Sequence, residues 1–122
     1  METEPIAPGR RIVDILHVAQ QFAIMGQHSK KCTYGKFELV REIKSGFYST
    51  LIHTCNMCKG EFRVTTDPAV ENPDIINEAA VWGALSIGIG RSQMEELFNI
   101  MEVPVMSAEK FRRHEIEVGK VT

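Results

Sequence analysis

"HSKKC" at 28–32 and "HTCNMC" at 53–58 place two histidines and all three of the chain's cysteines between residues 28 and 58. Cys55-x2-Cys58 has the spacing of a tight zinc-knuckle turn, and Cys32 adds a third sulfur. His28 precedes Cys32 by four residues, which puts both side chains on one face of a helical turn. The set His28, Cys32, Cys55, Cys58 makes a closed four-ligand site, and closed sites are structural because catalytic zinc keeps a position open for water or substrate. His53 competes for the fourth place, since it points to the same strand face as Cys55. His53-x-Cys55-x2-Cys58 would crowd three ligands into six residues and leave Cys32 without a local partner, so spacing favours His28. The metal-free alternative makes the cysteines small buried hydrophobes and the histidines hydrogen-bonded polar groups; two local pairs separated by a hairpin argue against it.

A chain of 122 residues suits one domain, and no apolar run approaches the roughly 18 residues of a spanning helix. Residues 1–8, polar and proline-bearing, read as a disordered lead without a secretory signal. An intracellular location follows, the nucleus included, in which an odd cysteine count fits a metal site better than a disulfide framework. The net charge of −2 hides a division: residues 1–64 carry nine basic and six acidic side chains, residues 65–122 five and ten. If phosphate is a partner, the first half is the one to meet it.

Asp14 is placed to cap a helix with Ile15, Val18, Ala19, Phe22 and Met25 on one face, ended by Gly26. Apolar and β-branched residues at 37–43 and 47–54 flank the turn "KSG", and "EFRV" at 61–64 follows the cysteine pair as a third strand. "DPAVENP" at 67–73 is the clearest joint. Beyond it Asp74 opens a helix with Ile75, Ala79, Trp82 and Leu85 inward, broken by "SIGIG". Ser92 and Glu95 have capping-box spacing for a helix to about Met101, with Met94, Leu97, Phe98 and Met101 inward. Ser107 caps a last helix to about Val118, with Phe111, His114, Glu115 and Val118 on neighbouring turns. The expected fold is α+β: residues 9–122 as a single zinc-stabilised domain, a helix-plus-hairpin half at 9–66 and a helical half at 74–118. One structural Zn2+ would join the first helix to a small antiparallel sheet, contributing on the order of 10–16 kcal/mol of apparent binding free energy, so the first half should not fold without it.

Three further features point to partners. Lys30, Lys31, Lys36, Arg41, Lys44, Lys59 and Arg63 surround the cysteines and are the candidate phosphate contacts, with solubilising strand faces as the plainer reading. The last two helices have helix-turn-helix dimensions, with Ser107, Lys110, Arg112 and Arg113 on the reading helix, yet Glu109, Glu115 and Glu117 bring that helix near neutrality. "GIGRS" at 88–92 reads as a glycine break rather than a phosphate nest, and Trp82, Met94, Met101 and Met106 as core.

"GRRIVDI", "HSKKC", "GFYSTLIHTCNMC" and "NEAAVWGALSIGIGRSQMEELFNIMEVPVMSAEKF", in that order from Gly9 to about His114, resemble the N-terminal part of the Mutator-like transposase domain found in many arthropod proteins. The resemblance implies His28, Cys32, Cys55 and Cys58 as the metal ligands. Full-length members of that family are expected to continue into an RNase H-like region with catalytic acids, which would lie beyond Thr122. Glu95, Glu96 and Glu102 fall on helix surfaces, not in the strand-borne triad that two-metal chemistry needs, so no catalytic residues are expected. The expected role is non-catalytic binding of DNA or, as the alternative, of another protein, with no membrane and no small-molecule substrate.

Overall fold

Two secondary-structure regimes follow one another along the chain, a helix with antiparallel strands first and helices alone after, as the change from β-branched alternation to helical spacing dictates. The computed structural model describes residues 3–6, 8–30, 32, 34–68, 72 and 74–121, with backbone alone for 3–5, 29, 30 and 118–121. The elements are β1 (Thr3–Pro5), α1 (Ile15–Gly26) running into a 3-10 turn (Gln27–Lys30), β2 (Phe37–Ser45), β3 (Tyr48–Cys55), β4 (Glu61–Thr65), α2 (Ile75–Ser86), α3 (Arg91–Ile100) and α4 (Ala108–Val121). The fold is α+β. The sheet has four strands in the order β1-β2-β3-β4, not three, because Thr3–Pro5 pair antiparallel with β2, Thr3 opposite Ile43, inside the segment expected to be a disordered lead.

Contacts group the chain into two compact units: Met1–Ala7 with Val13–Lys44 and Ser49–Pro68, and Pro8–Ile12 with Ser45–Tyr48 and Ala69–Thr122. The tip of the β2–β3 hairpin therefore belongs to the helical unit, a division that no sequence boundary marks.

In the first unit β3 and β4 pair antiparallel, with His53 opposite Phe62 and Leu51 opposite Val64. Helix α1 is capped by Asp14, whose Oδ1 accepts the His17 N–H at 3.1 Å. It packs on β4 through polar groups. Gln21 donates from Nε2 to the Thr65 carbonyl at 2.7 Å and accepts the Thr65 N–H at 2.9 Å, while His17 Nε2 lies 2.8 Å from Thr65 Oγ1. The expected apolar face is not buried: Ile15 is 71% exposed and Phe22 40%. The outer edge of β4 offers backbone groups that must be satisfied, so a carboxamide rather than an aliphatic side chain meets it.

In the second unit Phe47, Val81, Ala84, Met94, Val103, Met106 and Phe111 form the buried core, with Ile12, Ile76 and Phe98 packed against it. Phe47, from the hairpin tip, meets Phe98 edge-on at 5.0 Å between centroids. Burying a side chain of that size contributes roughly 1.5–3 kcal/mol. Helix α2 turns a different face inward from the expected one. Asn77, Val81 and Ala84 are buried, whereas Ile75 is 51% and Trp82 48% exposed. The segment "IINEAAVWGALS" is apolar on several faces, so periodicity alone selects none of them. Met94 and Met106 are core as expected; Met101 and Leu97 are exposed, as is Glu115, and the Val118 side chain lies outside the described residues. The α3 cap is displaced from Ser92 to Gly90, whose N–H is accepted by Gln93 Oε1 at 3.0 Å. Ser107 caps α4 as its position predicts, its Oγ accepting the Lys110 N–H at 3.1 Å.

Candidate metal centre

Strand β3 ends at Cys55, and the chain then reverses through a tight turn closed by two backbone bonds, Lys59 N–H to the Cys55 carbonyl at 3.1 Å and Cys55 N–H to the Gly60 carbonyl at 2.8 Å. Lys59 takes a left-handed backbone (φ 64°), which lets the turn close within four residues. This knuckle buries Cys55 completely and leaves Cys58 at the surface. The second pair comes from the end of α1. The 3-10 turn carries His28, and the Cys32 N–H donates to the His28 carbonyl at 3.0 Å, so the four-residue spacing is realised as a helical turn.

The four donor atoms, His28 nitrogen and the Sγ atoms of Cys32, Cys55 and Cys58, lie within 4.8 Å of one another. Among the described residues this is the one His/Cys/Asp/Glu group so spaced. Cys32 Sγ is 3.8 Å from Cys55 Sγ, and Cys58 Sγ is 3.4 Å from His28 Nε2. A tetrahedron with Zn–S of about 2.3 Å and Zn–N of about 2.0–2.1 Å has S–S edges of about 3.8 Å and S–N edges of about 3.6 Å. The donor set and these two edges are consistent with a tetrahedral cation of zinc's size.

The electrostatics of the knuckle suit the same conclusion. Backbone N–H groups of Cys58, and further on of Met57, point at Cys55 and lower its thiol to about 6 against the opposing effect of burial. Burial pushes the Cys32 thiol up, and hydrogen bonding and charge from Cys55 and Cys58 push it in the same direction. Cys32 thus resists ionising beside its sulfur neighbours, and a cation among the donors would offset that cost.

Two residues that the spacing argument passed over shape the site. Gly35 stands against the sulfurs: a Cβ there would overlap Sγ of both Cys32 and Cys55. Asn56 holds the two halves together, accepting the Lys36 N–H on Oδ1 at 3.0 Å while its own N–H donates to the Lys36 carbonyl at 3.0 Å. A glycine three residues after a candidate ligand, Cys32, was the available signal for the first; nothing in the sequence marked the second.

His53 lies apart from the four donors. Its Nδ1 is 3.1 Å from the Leu51 carbonyl and its ring meets Phe22 edge-on at 5.8 Å, in a setting whose burial lowers the imidazole pKa. Of the basic residues, Lys36 and Lys59 are exposed beside the centre. Arg63 is bound to Glu61 at 2.8 Å, and Arg41 approaches the same carboxylate at 3.9 Å, so these two share a counter-charge. Lys44 is partly buried. Lys31 and the side chain of Lys30 lie outside the described residues. Lys110, expected on a reading helix, is instead held by Asp74 at 2.7 Å and Ser45 Oγ at 2.6 Å. Arg91 of "GIGRS" pairs with Glu95 at 2.6 Å, leaving a helix start rather than a phosphate nest.

No curated protein and no solved structure matches this chain. The sequence profile of the Mutator-like transposase family matches residues 9–122, a span that takes in both cysteine motifs and all four helices. With nearly the whole chain matched, the protein belongs to the Mutator-like transposase family.

Proposed function

We propose that the chain is a non-catalytic zinc module of a Mutator-like transposase that binds nucleic acid through the surface around its metal centre. Zinc at His28, Cys32, Cys55 and Cys58 would neutralise the thiolates and join the end of α1 to the β3–β4 knuckle. The observation that carries the reading is the closed donor set with Lys36 and Lys59 exposed at its rim. Four protein donors use every position of a tetrahedral ion, which suits a structural role and leaves none for a reacting water. The unit that holds the centre carries seven basic and seven acidic side chains, so the attraction for phosphate rests on Lys36 and Lys59 at the rim and not on a net charge of the unit. Among the described residues no helix is long and apolar enough to cross a membrane.

One observation favours a second reading, a protein-interaction module: α2 exposes Ile75, Trp82 and Leu85 on one side. A fluorescence-anisotropy titration against a short DNA duplex over a range of salt separates the two. Phosphate contact makes affinity fall steeply with salt, and reversing Lys36 and Lys59 to Glu lowers the log–log slope by about 2, each contact being worth about 0.9. Reversing Arg112 and Arg113 should change it less. No binding even at low salt would transfer the assignment to the protein-interaction reading.

A further inference from the structure

Helix α1 has no buried residue. Beneath it a hollow of about 360 Å³ is walled by Met25, Gln27, His28, Phe37, Gly60 and Phe62. A second, of about 260 Å³, shares Met25, His28 and Phe37 and reaches Gly35 and Lys36. These sizes meet or approach those of small-molecule pockets, roughly 300–1,000 Å³. The walls are mainly apolar and aromatic. Phe37 and Phe62 are 6.1 Å apart between centroids and inclined at 56°, so they form a corner rather than a closed sandwich. His28 backs Phe37 at 4.6 Å, so the same contact that positions a metal-ligand candidate also steadies one wall of the hollow.

A flat group with apolar faces and polar edges suits such a corner. It can stack on one ring and meet the other edge-on, while the exposed Gln27 carboxamide offers both a donor and an acceptor to its rim. The charge around the hollow selects among flat groups. Lys36 lines the second hollow and Lys59 adjoins Gly60, both exposed, whereas the one acid lining the first hollow, Glu61, has its carboxylate engaged by Arg63 at 2.8 Å. A ligand with planar bases on a phosphate backbone satisfies both the rings and the lysines.

We infer that this aromatic corner beside the metal centre takes an unpaired nucleobase, so that the module prefers single-stranded nucleic acid to duplex. This rests on the nucleic-acid reading above and adds to it the strand state. Bases inside a duplex are stacked on their neighbours and cannot enter the hollow, whereas a single strand can place a base on Phe37 or Phe62 while its phosphates meet Lys36 and Lys59.

The test compares fluorescein-labelled oligodeoxythymidine of about 15 nucleotides, a length that spans typical single-strand site sizes, with a duplex of equal length. Both are titrated at low salt with zinc-loaded full chain. Expected is tighter binding of the single strand, by roughly five- to hundredfold, the range that one stacked base accounts for. Phe62→Leu, which keeps apolar volume but removes the π face, and Gln27→Ala, at an exposed position, should each reduce that preference and leave duplex affinity unchanged. If Phe62→Leu loses zinc or cooperative unfolding, Gln27→Ala alone decides. Equal or tighter duplex binding, or single-strand binding insensitive to the deciding variants, overturns the base pocket and leaves the nucleic-acid reading standing. Binding of neither probe overturns both.

Discussion

The side-chain oxygen of Asn77, fully buried on α2, accepts the backbone N–H of Phe47 at 2.8 Å, and its Nδ2 donates to the Ser45 carbonyl at 2.8 Å. One carboxamide thus satisfies both sides of the hairpin tip and holds Phe47 in the core of the second unit. Asn77→Ala leaves a buried donor and an acceptor unpaired, and should destabilise by about 1–3 kcal/mol or more. Gly46, at φ 64°, has no room for a Cβ beside Asn77, so Gly46→Ala should weaken the same unit. Urea unfolding of the zinc-loaded protein checks both; an unchanged midpoint for Asn77→Ala would remove the staple from the account.

His28→Ala should release metal, whereas His53→Ala should keep it. The His53 ring packs on Phe22 and serves the sheet, so its loss should lower stability without lowering zinc content. Metal analysis by mass spectrometry after gel filtration reads this directly. Stoichiometric zinc in His28→Ala beside its loss in His53→Ala would reverse the ligand assignment.

Gly35→Ala is expected to behave like a ligand mutation although glycine binds nothing. The added methyl overlaps the sulfurs of Cys32 and Cys55, so the donor set must spread. Competition with a chelator should show weaker zinc retention than in the wild type. Gly26→Ala, where an added Cβ has open space, is the matched control and should be neutral.

Lys59→Gly should raise stability and lower nucleic-acid affinity together. A left-handed backbone costs an L-residue roughly 1–2 kcal/mol, which glycine relieves, offset in part by its greater freedom in the unfolded chain. The lost charge removes a candidate phosphate contact. Thermal unfolding and anisotropy measured on one preparation separate the two effects.

Asp74 supplies a pH dependence. Burial works to raise its carboxyl, but hydrogen bonds from Lys110 and Asn77, with the charge of Lys110, outweigh it and hold the group below the usual carboxylate range. A depressed folded pKa contributes stability that is present above the unfolded value, about 4, and lost as pH falls through the folded one. The stability difference between wild type and Asp74→Asn should therefore be largest near neutrality and shrink below about pH 4. A difference that stays constant with pH would separate Asp74 from this linkage.

How much of this was written in the sequence differs between the two halves of the problem. The clustering of His28, Cys32, Cys55 and Cys58 was legible because its geometry is mostly local: His28 and Cys32 share a helical turn, Cys55 and Cys58 share a knuckle, and short spacings leave little conformational freedom within each pair. Helix positions were legible for the same reason, since Asp14 and Ser107 cap within their own turns. Burial was not. Trp82 and Ile75 follow a regular apolar spacing and lie exposed, while Asn77 is buried, because the inward face of α2 was decided by the unpaired backbone of the hairpin tip some thirty residues earlier in the chain. Likewise α1 turned Gln21 rather than its aliphatic residues to β4, since an open strand edge demands hydrogen bonds before it rewards apolar contact. Local spacing determined which residues could meet within one turn; only the tertiary structure decided which backbone groups were left to be satisfied, and so which side chains had to face inward.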